Sequence, residues 1–343
     1  MNDLIDEVAQ DEIRIGVEQA HALGVKVLCS IGYTEEEARI ITDHLVDNSM
    51  SGYAFAGLPR ILAIADSPEL KKARHDVKII HETPVSALLD GGNHVGYISV
   101  FRGAEIAIEK VKQCGVAVVG VSNSWFSGRN AYYLEKIARA GYVGIHTVSG
   151  SPMVAPIGSR KAALGTNPIA IALPGKKNPF IFDMGTGATM WGEVLLHAFL
   201  QQDFKDIVGI DQNGKPTKNA IEIVDGAVIP FAGHKGHGLS IAIQALGLLA
   251  GSKLRKNDVF DFGFLFIAFD PQIMMPREVF CDQLEELLTK IKNLPKQPGV
   301  DEIRIPSERS FREKAIRQHQ GIVIKKKVFD RLTEMSNNDQ GQK

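Results

Sequence analysis

The sequence predicts an α/β protein of two lobes whose sheet is not the doubly wound dinucleotide fold. Three observations carry this reading. The chain has 343 residues, more than a single hydrophobic core usually organises. Strand-like and helical segments are mixed, without the even strand–helix–strand rhythm of a parallel sheet. No GxGxxG stands between a strand and a helix; the nearest string, "GTGATMWG" at 185–192, has Met190 where the third glycine belongs.

In chain order, residues 12–30 carry helical spacing. At 34–50, "TEEEARIITDHLVDNSM" opens with Thr34 as N-cap and Glu37 three residues on, a capping box. Ala38, Ile41, Leu45 and Val46 then share one face. "SGYAFAGLPRI" at 51–61 is a corner: a helix ends, small residues let the backbone turn, and the cation Arg60 follows. It offers no imidazole, carboxylate or thiol between Ser51 and Arg60. "DVKIIHETPVSALLDGG" alternates as strand and turn. Helix "ISVFRGAEIAIEKVKQCG", strand "VAVVGV", loop "SNSWFSGRN", helix "AYYLEKIARAG" and strand "YVGIHTV" come next. Residues 150–193 are short apolar segments cut by Gly and Pro, and "IDQNGKPT" at 210–217 is a polar turn. A helix over 237–251, strand "GFLFIAFDP", and helices near 276–293 and 308–319 complete the map. The tail "SNNDQGQK" is expected to be disordered.

Composition narrows the function. Apolar residues at 44% and charged residues at 23% are those of an ordinary soluble protein. The 39 basic and 40 acidic residues give a formal charge of −1, so no general basic field exists to hold nucleic acid or an anionic membrane. Cys29, Cys114 and Cys281 are far apart and form no CxxC pair, which favours a reducing compartment. The acidic stretch "MNDLIDEVAQDEIRIG" lacks the basic-then-apolar layout of a signal peptide. The most apolar window, "LSIAIQALGLLAG" at 239–251, is too short to span a bilayer. A cytoplasmic protein is expected.

Familiar catalytic strings are absent: there is no Walker lysine loop, HExxH or GxSxG. His234 and His237 stand three apart in "GHKGHGLS", a spacing open to a metal, but no carboxylate or thiol accompanies them. A glycine-lined helix start explains them better. With Lys235 beside them, its free N–H groups form a seat for an anion such as phosphate.

Four segments in order resemble the type-2 malate/L-lactate dehydrogenases: "LGTNPIAIALPG", "FIFDMGTGATMWGEV", "PFAGHKGHGLS" and "IPSER". That family also holds ureidoglycolate, sulfolactate and diketogulonate dehydrogenases and piperideine-2-carboxylate reductases. The likeness runs from about residue 12 to about residue 330, with a shorter loop after Ala250 than is usual. "MVAPIGS" and "ARAGYVGI" most resemble the ureidoglycolate branch.

The resemblance implies an NADH- or NADPH-binding homodimer with its active site between two lobes. One is mainly helical, from 1–78 and 295–343; the other, 79–294, is the α/β NAD(P)-binding lobe. Cofactor contacts are implied at Asp183, Met184, Gly185, Thr186 and Gly187, at His234 and Lys235, and at Ser307, Glu308 and Arg309. Substrate contacts are implied at Arg60, Arg129 and Thr166; a guanidinium pairs well with the carboxylate of a 2-oxo or 2-imino acid. No metal is implied.

The same alignment exposes a departure. The family's corner carries a histidine that passes the proton; here that place falls on Ala56. A second family histidine falls on Phe126. Three explanations follow. The acid has moved, with Tyr53, Tyr132, Asp183 and His234 as candidates; or a cyclic iminium substrate, already protonated, needs none; or the chain is a non-redox or inactive descendant that keeps a nucleotide or small-acid pocket. The imine version is slightly favoured, because neither loop offers a polar replacement.

Overall fold

A computed structural model describes residues 9–254 and 262–337. The N-terminal stretch up to residue 8, the tail from residue 338 and part of the loop after Ala250, all read above from sequence, lie outside the described residues. The chain divides into two compact units, one from Met1–Lys71 and Glu308–Lys343, the other from Lys72–Ser307.

The first unit begins with β1 (Glu12–Ile15), α1 (Val17–Ser30), α2 (Glu35–Met50) and α3 (Arg60–Ala65). The helical expectation for 12–30 is thus corrected at its start: "EIRI" alternates charged and apolar residues, the period of a strand, and Gly16 separates it from α1 in extended backbone. Thr34 and Glu37 form the capping box, and Ala38, Ile41, Leu45 and Val46 are buried.

The second unit contains β2 (Lys78–Thr83), β3 (Ser86–Val95), α4 (Gly96–Cys114), β4 (Val116–Trp125), α5 (Asn130–Arg139) and β5 (Val143–Ser149). It continues with β6 (Ile169–Leu173), β7 (Phe180–Met184), α6 (Trp191–Leu200), β8 (Gly209–Ile210) and β9 (Pro216–Thr217). After α7 (Ala220–Asp225), β10 (Ala227–Val228), α8 (His234–Leu249), β11 (Gly263–Phe269) and α9 (Arg277–Lys292), the chain returns to the first unit. There α10 (Glu308–Gln320), β12 (Ile322–Lys325) and α11 (Lys326–Asn337) follow, and β12 pairs antiparallel with β1. Sequence reading passed over β12 and α11, so structure extends further toward the tail than expected.

The seven-stranded sheet runs β2-β3-β4-β11-β5-β6-β7, and only β3 and β4 are parallel neighbours. Among the described residues, the crossover through α4 is therefore the one strand–helix–strand unit of this sheet, with antiparallel pairing elsewhere. Residue parity shows how the faces are covered. Val121 and Gly144 face α4 and α5, where a Cβ on Gly103 would press Val121 and one on Gly144 would press Leu134. The alternate residues Gly120 and Gly263 face α8 and its end, at Ala250 and Gly247. A smaller apolar cluster of Val154, Leu164, Val194, Ile223 and Val228 holds α6, α7 and the three-stranded sheet of β8–β10. The polar turn at 210–217 is the β8–β9 connection, where Asp211 accepts from Asn213 N and Lys215 N.

His146 on β5 sits in the sheet–helix core. Its ring stacks on Phe266 with centroids 3.9 Å apart, and Nδ1 donates to Leu265 O at 3.0 Å. That bond places the proton on Nδ1, so Nε2 is a buried lone pair without a partner among the described residues. Burial pushes its pKa down to about 3. The unfolded chain then takes up a proton near pH 6.5 that the folded chain refuses, so stability falls as pH drops from about 6.5 toward 3. At pH 5 this costs about 2 kcal/mol. Urea unfolding at pH 7 and pH 5 should show His146→Phe losing less stability between the two than the parent; equal losses would contradict the assignment.

Candidate active site

The corner at 51–61 is built within the first unit. Ser51 ends α2, Gly52 turns with φ +86°, and Tyr53 N donates back to Asn48 O at 3.0 Å. A single 3-10 turn carries Ala54–Ala56. Gly57 is required by a close approach, because a Cβ there would overlap Ser49 Oγ. Asn48 Nδ2 donates to Ala56 O at 2.9 Å, pinning the corner to α2. Ala56 is only 8% exposed, and its methyl has no proton to give. Arg60 opens α3 with Pro59 as N-cap.

Two expected residues meet at this corner. The Arg309 guanidinium lies 5.6 Å from the centroid of the Tyr53 ring, while Phe55 meets the same ring edge-on at 6.4 Å. α10, which begins at Glu308, is held to α2 by Lys314–Asp47 at 2.5 Å and by Arg317 Nη1 donating to Ser49 O at 2.8 Å. Tyr53 therefore faces a cation and an aromatic ring.

In the second unit, β4 runs on through Trp125, so the expected loop over 122–130 is shorter than read. Ser124 Oγ donates to His94 O at 2.6 Å, and Gly96 N donates to Phe126 O at 3.2 Å. Phe126 is half-buried, and its ring meets Tyr97 and Trp125 edge-on at 6.0 and 5.1 Å. Tyr132 lies beside Tyr133, centroids 5.7 Å apart, while the fully buried Tyr133 donates to Ser127 O at 2.6 Å.

Asp183 is placed where sequence spacing could not show it. At the end of β7, its Oδ2 accepts from Ala131 N at 2.8 Å, and Asn130 N also donates to the carboxyl. The carboxylate thus supplies the N-terminal cap of α5, whose own N-cap residue, Arg129, makes no side-chain cap bond. Burial raises the Asp183 pKa above the usual aspartate value, against the pull of the Ala131 N–H, the Arg129 charge and the Asn130 N–H. The residue as a whole keeps partial exposure, while its carboxyl is dehydrated.

The glycine loop behind Asp183 is tied to its neighbours. Thr186 N and Oγ1 both donate to Thr166 O, at 2.7 and 3.0 Å. Phe231 N donates to Thr186 O at 3.0 Å, which sets the approach to α8. A Cβ on Gly185 would overlap Met190 Sδ, and one on Gly187 would meet Thr189 O at 2.9 Å. Those two glycines therefore make room for protein atoms. The open backbone lies instead at Gly233 and Gly238, where an added Cβ meets nothing within 4 Å. His234 and Lys235 are exposed at this helix start, which follows Ala232 and Gly233 at φ +45° and +59°. His237 Nδ1 accepts from Ile157 N at 3.2 Å. Among the described residues no group of three or more His, Cys, Asp or Glu could hold a metal. Ser307, at φ +67°, donates through Oγ to Ile181 O at 2.6 Å, two residues before Asp183.

Two residues escaped the sequence reading. Asn167, following Thr166, is buried at φ +34°; its Nδ2 donates to Ser240 O and Gln244 Oε1, both at 2.9 Å. Its Oδ1 accepts from Gly150 N at 3.3 Å. The signal was present in "GTNP": asparagine tolerates positive φ and carries both donor and acceptor. Asn130 is the other, and its sequence position beside Arg129 gave no hint of its burial.

A family model described as malate/L-lactate dehydrogenase matches residues 15–333. The chain is 33% identical over 330 residues to the L-sulfolactate dehydrogenase of Methanocaldococcus jannaschii, covering 93% of this chain and 95% of that one. Its fold matches the solved malate dehydrogenase of Pyrococcus horikoshii OT3 with a TM-score of 0.87 at 29% identity, covering 98% of both chains. It also matches a delta1-piperideine-2-carboxylate reductase from Pseudomonas syringae pvar. tomato, TM-score 0.80 at 25% identity, over 94% of this chain and 99% of that one.

Proposed function

Because this chain belongs to the malate/L-lactate dehydrogenase family, we propose that it is an NADH- or NADPH-dependent oxidoreductase of small carboxylate substrates, reducing a 2-oxo or 2-imino carbon with Asp183 as proton donor. The observation that carries this reading is the Asp183 carboxyl: dehydrated, raised in pKa, and held by two N–H groups at the start of α5.

When bound, the reduced nicotinamide supplies a hydride. The residues of the chain do the rest. The exposed helix start with His234 and Lys235, and the open backbone at Gly233 and Gly238, suit a phosphate-bearing cofactor. The Arg60 and Arg129 guanidinium groups are suited to a carboxylate. As hydride reaches the carbon, the carbonyl electron pair moves to oxygen, and protonated Asp183 delivers its proton there to give the 2-hydroxy acid. An iminium substrate arrives protonated and needs no such delivery, so Ala56 and Phe126 cost it little. The named piperideine-2-carboxylate reductase supports including imines. Of the other acid candidates, Tyr53 faces Arg309 and Phe55, Tyr132 lies beside Tyr133, and His234 sits on the exposed helix start.

The reading extends to a homodimer, supported by the exposed apolar side chains Ile241, Leu248 and Leu249 on α8, and to a reducing cytoplasm, supported by the wide separation of Cys29, Cys114 and Cys281 in the sequence. The test is consumption of NADH or NADPH with a cyclic 2-imino acid and with its open-chain 2-oxo analogue. Turnover of either supports the reading, with the imine the faster; no turnover with either cofactor overturns it.

A further inference from the structure

Asn130 is the first residue of α5 and only 1% exposed, yet among the described residues neither Nδ2 nor Oδ1 has a hydrogen-bond partner. Buried polar groups are paired in more than nine cases of ten, and leaving an amide unpaired at both ends is costly. The usual structural duties do not explain it. Asparagines at helix starts cap the first turn, as Asn219 does for Ile221 N and Glu222 N. At α5 that task falls to the Asp183 carboxylate, which takes the N–H groups of Asn130 and Ala131. Nor is the fold unable to satisfy a buried amide, since Asn167 uses both its donor and its acceptor. An apolar residue at 130 would fill the same space at lower cost.

The unpaired amide is one residue from the Arg129 guanidinium, and its own backbone N–H touches the carboxyl proposed as proton donor. We infer that Asn130 is a substrate-binding residue that selects 2-oxo acids whose side chain ends in a primary amide. This rests on the oxidoreductase reading above for the position of the reacting carbon. The chemistry of the match is specific. An amide offers a carbonyl to Nδ2–H and an N–H to Oδ1 in one plane, satisfying both ends of Asn130 together. A carboxylate satisfies Nδ2 and sets an acceptor against Oδ1. A branched alkyl group of the same shape satisfies neither, and a site built to hydrogen-bond a substrate rejects an analogue that cannot do so.

Three isosteric 2-oxo acids test this: 2-oxosuccinamate, oxaloacetate and 4-methyl-2-oxopentanoate. With the unmodified protein and NADPH or NADH, kcat/KM for 2-oxosuccinamate should exceed that for 4-methyl-2-oxopentanoate by about a hundredfold. Asn130→Leu should abolish that preference while the ligand-free protein keeps or raises its Tm, because an unpaired buried amide has been removed. Asn130→Ser, a smaller polar change, should lose the preference without depending on the fit of leucine. Equal kcat/KM for the three acids, or a preference that survives both variants, overturns the inference and leaves the oxidoreductase reading standing. Calorimetric binding separates the converse case: 2-oxosuccinamate bound through Asn130 but not reduced, with the cyclic 2-imino acid not reduced either, upholds the selection and sinks the redox reading. Failure of all three acids to bind or react overturns the inference, and the redox reading falls with it only if the cyclic 2-imino acid is not reduced either.

Discussion

Asp183→Asn is expected to lower kcat for open-chain 2-oxo acids by about two to four orders of magnitude. Asparagine keeps an oxygen at the position that accepts from Ala131 N, so the cap on α5 survives. What it lacks is the proton. The raised pKa fixes the sign of the pH dependence: the parent works while the carboxyl is protonated and loses kcat as pH rises through the Asp183 value. The same sign governs stability. A buried carboxyl with raised pKa loses stabilisation as pH rises above the unfolded aspartate value and through its own, so the neutral variant should unfold at the same temperature or higher at pH 7. A cyclic iminium substrate should lose far less rate than the oxo acid in this variant. Steady-state rates for both substrates, with a melting curve as control, check it. Equal losses on the two would assign Asp183 to positioning, and no loss on either would remove it from the chemistry.

Asn167→Leu should be the most damaging change for stability among the residues that set the site. It deprives Gly150 N of its acceptor and Ser240 O and Gln244 Oε1 of their donor, all in a buried setting. It also puts a γ-branched residue at φ +34°. Two or more unpaired polar groups plus backbone strain cost about 3–5 kcal/mol. Because Thr166, one residue earlier, carries the carbonyl that holds Thr186, the glycine loop should loosen with it. Urea unfolding gives the stability, and amide hydrogen exchange at Thr186 and Phe231 gives the loosening. A loss under about 1 kcal/mol would show that the network contributes little.

How much of this was legible beforehand follows from the range of each interaction. The capping box at Thr34 was readable because its partners are three residues apart, and the buried face of α2 because its spacing is local. The absence of GxGxxG correctly pointed away from a doubly wound sheet, since that motif and that topology go together. β1 was hidden because four alternating residues next to a fourteen-residue helix vanish in a helical window, and its partner β12 lies at the far end of the chain. The site was less legible for the same reason. The Asp183 carboxyl and the Ala131 N–H are 52 residues apart. Arg309 and Tyr53 meet only because α10 lies along α2. Gly185 and Gly187 look like cofactor glycines in sequence, yet their missing side chains make room for Met190 and Thr189. A buried unpaired amide such as Asn130 has no sequence signature at all, because burial comes from packing rather than pattern.

Hydride is expected to pass from a reduced nicotinamide to carbon 2 of a small carboxylate substrate. NADH and NADPH carrying deuterium at the transferable position, incubated with the protein and with a cyclic 2-imino acid or a 2-oxo acid, test it by mass spectrometry of the product. The expected result is one deuterium at carbon 2 of the amino or hydroxy acid. Product without deuterium, or no product from any of these acids with either cofactor at millimolar concentration, would contradict it.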